Sequence, residues 1–382
     1  MKILQINASY KPAYIYGGPT MSVAKLSEQL VKAGCEVEVF TTTANGLREL
    51  PVVSDIKLNI DGVNVTYFKR LTKDHTHFSP RLLVKLWREA ADFDVIHIHA
   101  WWNLVSVFSA LIALKSKTPV IISPRGTLSA YSFSNKNSLI KKILHNVLGK
   151  RLLNNSFIHA TSNAEQQALT ALLKPLYIFN IPNLVNLAET KYEQIITGPE
   201  IFKLLFFSRI EEKKGLDILL GALPALRIPY HLTIAGDGDK DYIAQLKNIT
   251  RDNLSSPYIT WIGFLNENKF DVLHNHQLLV LPSYNENFGN VVIESLSVGT
   301  PVLISGQVGL AGYVLKNKFG WVCQLTPESV SSTIHHIAAQ QMDEINRIRN
   351  SAPVVIQRDF KEEVLITKYI DMYRQIRDHD GV

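Results

Sequence analysis

LLVLPSYNENFGNVVIESLSVGTPVLIS, residues 278–305, is the stretch on which the fold turns. Its opening apolar run, 278–281, is short and closed by Pro282-Ser283, as a buried strand is. A loop through Asn285, Glu286, Asn287, Phe288 and Gly289 follows. A helix begins near Asn290, Gly299 stops it, and Pro301 opens a second apolar run at 302–305. Strand, loop, helix, strand is the repeating unit of a parallel sheet covered by helices.

The same alternation extends in both directions. Upstream lie a strand at 203–208, a helix at 216–226, a strand at 230–235 ending in Gly236-Asp237-Gly238, and a strand at 259–261. The first half repeats the theme. A strand at 1–7 leads into a loop with Gly17-Gly18-Pro19, then a helix with apolar Met21, Val23, Ala24, Leu26, Leu30 and Val31, stopped by Gly34. Strands at 36–43, 94–100, 119–124 and 155–161 follow, with a helical stretch ending at Lys115. The mostly polar segment 185–201 separates the halves. The expectation is an α/β chain of two Rossmann-like, doubly wound parallel-sheet domains, 1–186 and 200–360, facing a cleft. Such sheets bind ligands at the carboxyl ends of their strands. A last helix in 361–382 is expected to pack back on the N-terminal domain.

Composition narrows the class. The chain has 382 residues, 46% apolar and 19% charged, which excludes a disordered polymer. A net charge of +6 is too small to imply a nucleic-acid partner. The only two cysteines, Cys35 and Cys323, lack metal-ligand spacing and read as small buried hydrophobes in a reducing compartment. The N-terminal MKILQINASYKP turns polar too early for a secretory leader. The apolar run 104–114 falls short of the roughly 20 residues that span a bilayer. A cytoplasmic chain is expected.

Four groups of residues carry chemistry. The helix N-terminus near Asn290 suits a phosphate, because unpaired N–H groups and the positive dipole end converge there. Glu286 before it and Glu294 one turn inside it suit paired hydroxyls of a sugar or a ribose. An ordinary solvated loop with surface glutamates fits these residues equally well. Arg209, at a strand end, and Lys214, before the next helix, are placed to clamp a diphosphate; two solvated cations are the bland alternative. Gly17 and Gly18 allow close backbone approach to a ligand, and no G-x-G-x-x-G follows the first strand. His97 and His99 alternate onto one face of their strand. His97 reads as a core histidine and His99 as nearer the ligand edge; no third ligand makes them a metal pair. Asp237-Gly238-Asp239 reads as a turn.

Together, in this order, the glycine pair, the H-x-H strand, Arg209 with Lys214, and the E-x7-E motif of Glu286 and Glu294 followed by GTPV resemble the retaining glycosyltransferase family 4. These are the group 1 glycosyltransferases of GT-B fold, and the resemblance covers nearly the whole chain. It implies transfer of a sugar from a nucleoside-diphosphate sugar to a glycan or lipid-linked glycan, with retention and without a metal or other cofactor. Arg209 and Lys214 would hold the diphosphate, Glu286 the donor sugar and Glu294 the ribose. Asn287, Phe288, Gly289 and Asn290 would line the donor, and Gly17 and Gly18 would approach its phosphate. His99 resembles the family's active-site histidine, which contacts the donor sugar.

SPRGTLS, 123–129, resembles a segment of bacterial cell-surface polysaccharide enzymes acting in capsule, O-antigen or exopolysaccharide synthesis. Its Arg125 is a candidate contact for an acceptor phosphate or for the donor, and a structural arginine at a loop fits it equally well. The basic stretch 135–151, NKNSLIKKILHNVLGKR, admits two readings: contact with anionic lipid on the inner face of the plasma membrane, or a solvated helix face. The rival functions are another GT-B activity, such as a phosphorylase or nucleotide-sugar epimerase, and an inactive nucleotide-sugar-binding protein.

Overall fold

A computed structural model describes residues 1–134, 142–189, 201–265 and 267–379. The chain divides into two compact units: Met1–Leu184 with Glu362–Val382, and Val185–Lys361.

The first unit is built on a sheet of strands β1 (Lys2–Ile6), β2 (Glu36–Thr42), β3 (Lys57–Ile60), β4 (Val63–Phe68), β5 (Val95–His99), β6 (Val120–Ser123), β7 (Phe157–Ala160) and β8 (Ile178–Asn180). Their order is β8-β7-β6-β5-β1-β2-β4-β3. All neighbours are parallel except β3 and β4, a hairpin turning at Asp61-Gly62. Both turn residues have positive φ, 52° and 86°, the geometry that favours Asp-Gly in such turns. The sheet is parallel as expected, with this one antiparallel edge that the sequence reading did not include. Ile3, Leu4, Ile6, Ile96 and Ile98 are fully buried, as strands covered on both faces must be.

The helix after β1 also departs from expectation. Gly18 and Pro19 are its first residues (Gly18–Lys32), not part of a loop, because a proline fits the first helical turn, where its missing N–H costs nothing. The last helix, Glu362–Arg377, belongs to this unit. Glu362 ion-pairs with Lys25, and Tyr373 enters the core to bond Gln5 and His97. Cys35 is only half-buried, since it sits at the surface turn that follows the Gly18–Lys32 helix; Cys323 is buried as expected. Of the basic stretch, 135–141 lies outside the described residues. Across 142–151, Lys142, Ile143, Val147, Lys150 and Arg151 are exposed around a π-helical turn, His145–Gly149. Among the described residues no helix is long and apolar enough to cross a membrane.

The second unit carries β9 (Phe202–Phe207), β10 (Tyr230–Ala235), β11 (Ile259–Gly263), β12 (Leu278–Leu281), β13 (Val302–Ser305) and β14 (Gly320–Cys323). The order β11-β10-β9-β12-β13-β14 is all parallel and reverses between β9 and β12. That reversal is the topological switch point, where two crossovers diverge and leave a crevice at the strand ends. Every residue of β12 is fully buried. The helix after β9 is shorter than its apolar pattern suggests, Leu216–Ala222, because Pro224 turns the chain into a 3-10 segment.

Candidate functional site

The two loops that leave the switch point of the second unit carry Arg209, after β9, and Glu286, after β12. Backbone contacts fix both loops. Gly236 and Gly238 lie so close to the 208–210 segment that a Cβ on either would sit about 2.0 Å from the carbonyl oxygen of Ser208 or Ile210. Gly215, at φ 69°, presses on Pro282 in the same way, its Cβ position 2.0 Å from the Pro282 oxygen. Tyr284 N–H donates to the Lys213 carbonyl at 2.9 Å. The 209–215 loop is thereby fastened to the end of β12, which sets Lys214 beside Glu286.

Lys214 Nζ forms an ion pair and hydrogen bond with Glu286 Oε2. Both side chains are largely out of water, 9% and 19% exposed, so neither charge is easily replaced by solvent. The Glu286 backbone is pinned as well: its N–H donates to Gln307 O at 3.2 Å, and its carbonyl accepts from Gly309 N–H at 2.8 Å. Arg209 Nη1 lies 2.5 Å from Glu211 Oε1. Burial pushes the Glu211 carboxyl up, but Arg209, Lys213 and Lys214 outweigh it and hold the group below its usual range. The cluster thus holds three cations, each already paired with a carboxylate.

Gly289, at φ 92°, turns the loop into the helix Asn290–Ser297, and no side chain caps that helix. A Cβ at Gly289 would meet Val308 and Val292 at 3.2 and 3.3 Å, so a tight approach as well as the left-handed conformation selects glycine. Phe288 points inward, buried against Phe360. Asn287 and Asn290 flank it. Glu294, in the second turn, pairs with Lys269 Nζ at 2.8 Å. Lys269 was not among the residues singled out from sequence; nothing in its local pattern separates it from a surface lysine. Asp239, in the Asp237-Gly238-Asp239 turn, caps the helix Lys240–Asp252 by accepting from Asp241 and Tyr242 N–H.

The remaining residues lie in the first unit. Gly17, at φ 64°, is the N-cap of the Gly18–Lys32 helix and offers it no side-chain bond. His99 ends β5, fully buried, with both ring nitrogens engaged: Nε2 with Gln5 Oε1 at 2.6 Å and Nδ1 with Arg125 Nε at 3.3 Å. His97 is likewise buried and bonded at both nitrogens. Arg125 follows β6 and reaches Ser22 and Asn183 as well as His99. Sequence reasoning missed Gln5, Ser123, His159, Asn183 and Tyr373, which form this buried polar cluster. Gln5, Ser123 and His159 did carry a signal, being polar residues inside otherwise apolar strands. Among the described residues no group of three or more His, Cys, Asp or Glu is gathered to hold a metal ion.

The family model for glycosyltransferase family 4 matches residues 16–189, and that for group 1 glycosyl transferases matches residues 191–353. An uncharacterized glycosyltransferase of Methanocaldococcus jannaschii is 27% identical over 364 residues, 87% of each chain. Among solved structures, Anabaena HepE in complex with UDP and glucose superposes with a TM-score of 0.77 at 19% identity, covering 98% of this chain and 100% of that one. WaaG, a glycosyltransferase involved in lipopolysaccharide biosynthesis, does so with a TM-score of 0.71 at 14% identity, covering 97% and 99%. With the two parallel-sheet units and the E-x7-E loop in place, the chain belongs to the family 4, group 1 glycosyltransferases and has the GT-B fold.

Proposed function

We propose that the protein transfers a sugar from a nucleoside-diphosphate sugar to a glycan or lipid-linked glycan, with retention of the donor's anomeric configuration, in assembly of a bacterial surface polysaccharide. The observation that carries this reading is the cluster of Lys214, Glu286 and Arg209 at the switch point of the second unit, beside the uncapped Asn290–Ser297 helix. The UDP complex of HepE and the lipopolysaccharide role in WaaG's description support it.

In this reading the anomeric carbon's bond to the diphosphate oxygen breaks, and the diphosphate leaves with the electron pair. The acceptor hydroxyl forms the new bond on the same face, and its proton passes to the departing phosphate oxygen. Arg209 and Lys214 supply positive charge where the leaving group gathers negative charge, the kind of preorganised stabilisation that dominates many enzymes' rate enhancement. Glu286 orients donor hydroxyls and Glu294 the ribose. With two cations and a helix end so placed, the reaction is proposed to run without a metal.

A thermal-shift screen of nucleoside diphosphates and their sugars tests the reading. The matching compound, at 100 times its dissociation constant, is expected to stabilise the protein by about 2.7 kcal/mol. No response to any UDP or GDP compound would sink the proposal. Glu294→Ala is expected to weaken nucleotide binding about tenfold, roughly 1.4 kcal/mol, while turnover at saturating donor changes little. An unchanged dissociation constant would remove Glu294 from the ribose site.

A further inference from the structure

A buried hydrogen-bond chain runs through the first unit, and its chemistry permits one direction only. Arg125 stands at one end. A guanidinium only donates, so its Nε bond to His99 Nδ1 at 3.3 Å requires that nitrogen to be bare. His99 then carries its proton on Nε2 and donates to Gln5 Oε1 at 2.6 Å. Gln5 Nε2 donates to the Tyr373 hydroxyl at 3.0 Å, and Tyr373 donates to His97 Nδ1 at 2.7 Å. His97 Nε2 donates to Ser123 Oγ, and Ser123 to His159 Nδ1, both at 2.6 Å. His159 Nε2–H ends on the Ile181 carbonyl at 2.8 Å, which only accepts. Starting from Ile181 instead gives the same direction, and the two derivations meet at Tyr373 without conflict. Turning the Gln5 amide over would force His99 to protonate Nδ1 against the Arg125 Nε–H.

The chain ends on a cation that no carboxylate of the described residues ion-pairs. Arg125 Nη1 donates to Asn183 Oδ1 at 2.7 Å and Ser22 Oγ at 3.0 Å. Those acceptors and His99 are all neutral. Glu165, whose charge Arg125 feels, directs its oxygens to Gly126 N–H at 2.7 Å and to Thr161 N–H and Oγ1 at 2.9 Å. Ser22 lies in the opening turns of the Gly18–Lys32 helix, so the positive end of a helix dipole adds to the same field. Burial depresses the Arg125 pKa. The backbone is strained too: Arg125 sits at φ 52°, a left-handed conformation that costs a non-glycine residue on the order of 1 kcal/mol or more and collects at functional sites.

We propose that Arg125 grips a phosphate group of a substrate, and that His99 and Gln5 are positioning residues that aim the guanidinium, His99 holding Arg125 instead of touching the donor sugar. The proposal rests on the glycosyltransferase reading only for which substrate brings the phosphate, the donor diphosphate or a phosphorylated acceptor. The chain itself is independent of it.

The test uses the full chain with 15N-labelled histidine and inorganic phosphate as the probe. Ring spectra are expected to show His97, His99 and His159 as Nε2–H tautomers. Phosphate should shift the His99 ring signals in the wild type and in Lys214→Ala, and leave them still in Arg125→Gln. Gln5→Leu should need at least about tenfold more phosphate for half the shift. Saturating UDP assigns the source: loss of the phosphate response means the donor, and its persistence means the acceptor. His99 found as Nδ1–H or imidazolium, or unmoved by phosphate in the wild type, would overturn the proposal, as would full phosphate affinity in a folded Gln5→Leu. Should Gln5→Leu not fold, the wild-type tautomers and the Arg125→Gln comparison decide. Absence of any UDP binding alongside a normal His99 response would instead refute the sugar-nucleotide reading and leave this one standing.

Discussion

Acidification from pH 7.5 to 5.5 is expected to cost the first unit about 5.5 kcal/mol of stability. Its three chain histidines, together with His77, are the reason. Burial, with neighbouring Arg125 and ring charges adding to it, pulls His97 and His99 well below the ordinary value, and pulls His159 down to about 3. In the unfolded chain each titrates near 6.5. The sign follows from proton counting. Below pH 6.5 the unfolded state binds protons that the folded state refuses, so stability falls as pH falls. One unit below the unfolded value, each group contributes roughly 1.4 kcal/mol to that loss. His77, lowered to about 4 chiefly by burial with Arg70 assisting, adds to it. The second unit has one buried histidine lowered in this way, His276, and should lose about a quarter as much. At roughly 2–4 °C per kcal/mol for units of this size, the first unit's transition should drop by about 11–22 °C. Scanning calorimetry at the two pH values measures it. Equal midpoints would mean that the cluster admits protons, and with them a charged His99 beside Arg125.

How the sequence announced this structure depends on whether a feature is local. The strand, loop and helix of 278–305 were legible to the residue because Pro282, Gly289, Gly299 and Pro301 punctuate them, each for a steric reason. The same reasoning failed where two rules competed. Gly17-Gly18-Pro19 looks like a loop, yet Pro19 is also a good helix starter, and the helix took it. The hairpin of β3 and β4 escaped notice although Asp61-Gly62 marks its turn, because a parallel sheet made an antiparallel edge unexpected. In the site, Glu286 and Glu294 were found from their spacing on one loop and helix. Their partners divide by the same criterion. Lys214 was singled out as a cation at a helix start, but its pairing with Glu286, 72 positions away, is a product of strand order. Lys269 is one of 40 cations and gains meaning only when folding brings it to Glu294. Tyr373 meets Gln5 across 368 positions. No local pattern records such a contact; the polar interruptions at Gln5, Ser123 and His159 show only that something must satisfy them.

Lys214→Ala is expected to lower donor turnover about 100-fold, close to 2.7 kcal/mol of barrier. The ammonium is mostly buried and is held by the 209–215 loop, itself locked by the Gly215 contact with Pro282. In a site of this kind one fixed charge acts more strongly than it would in water. The resting ion pair with Glu286 raises a competing explanation, since removing either partner strands the other in a poorly hydrated place. A double-mutant cycle separates the two. If the pair were only structural, Lys214→Ala with Glu286→Ala would recover much of the activity lost by Lys214→Ala, because no uncompensated charge would remain. If Lys214 meets the leaving diphosphate and Glu286 the sugar, the double variant stays at least as inactive as Lys214→Ala, and Glu286→Ala alone falls at least about tenfold. The Lys214 variant should also lose most of the stabilisation that a nucleoside diphosphate gives the wild type, whereas Glu286→Ala should keep it, because the sugar is absent from that ligand. Recovery of turnover in the double variant, or full nucleotide stabilisation of Lys214→Ala, would remove the lysine from the reaction and leave it a bolt between two loops.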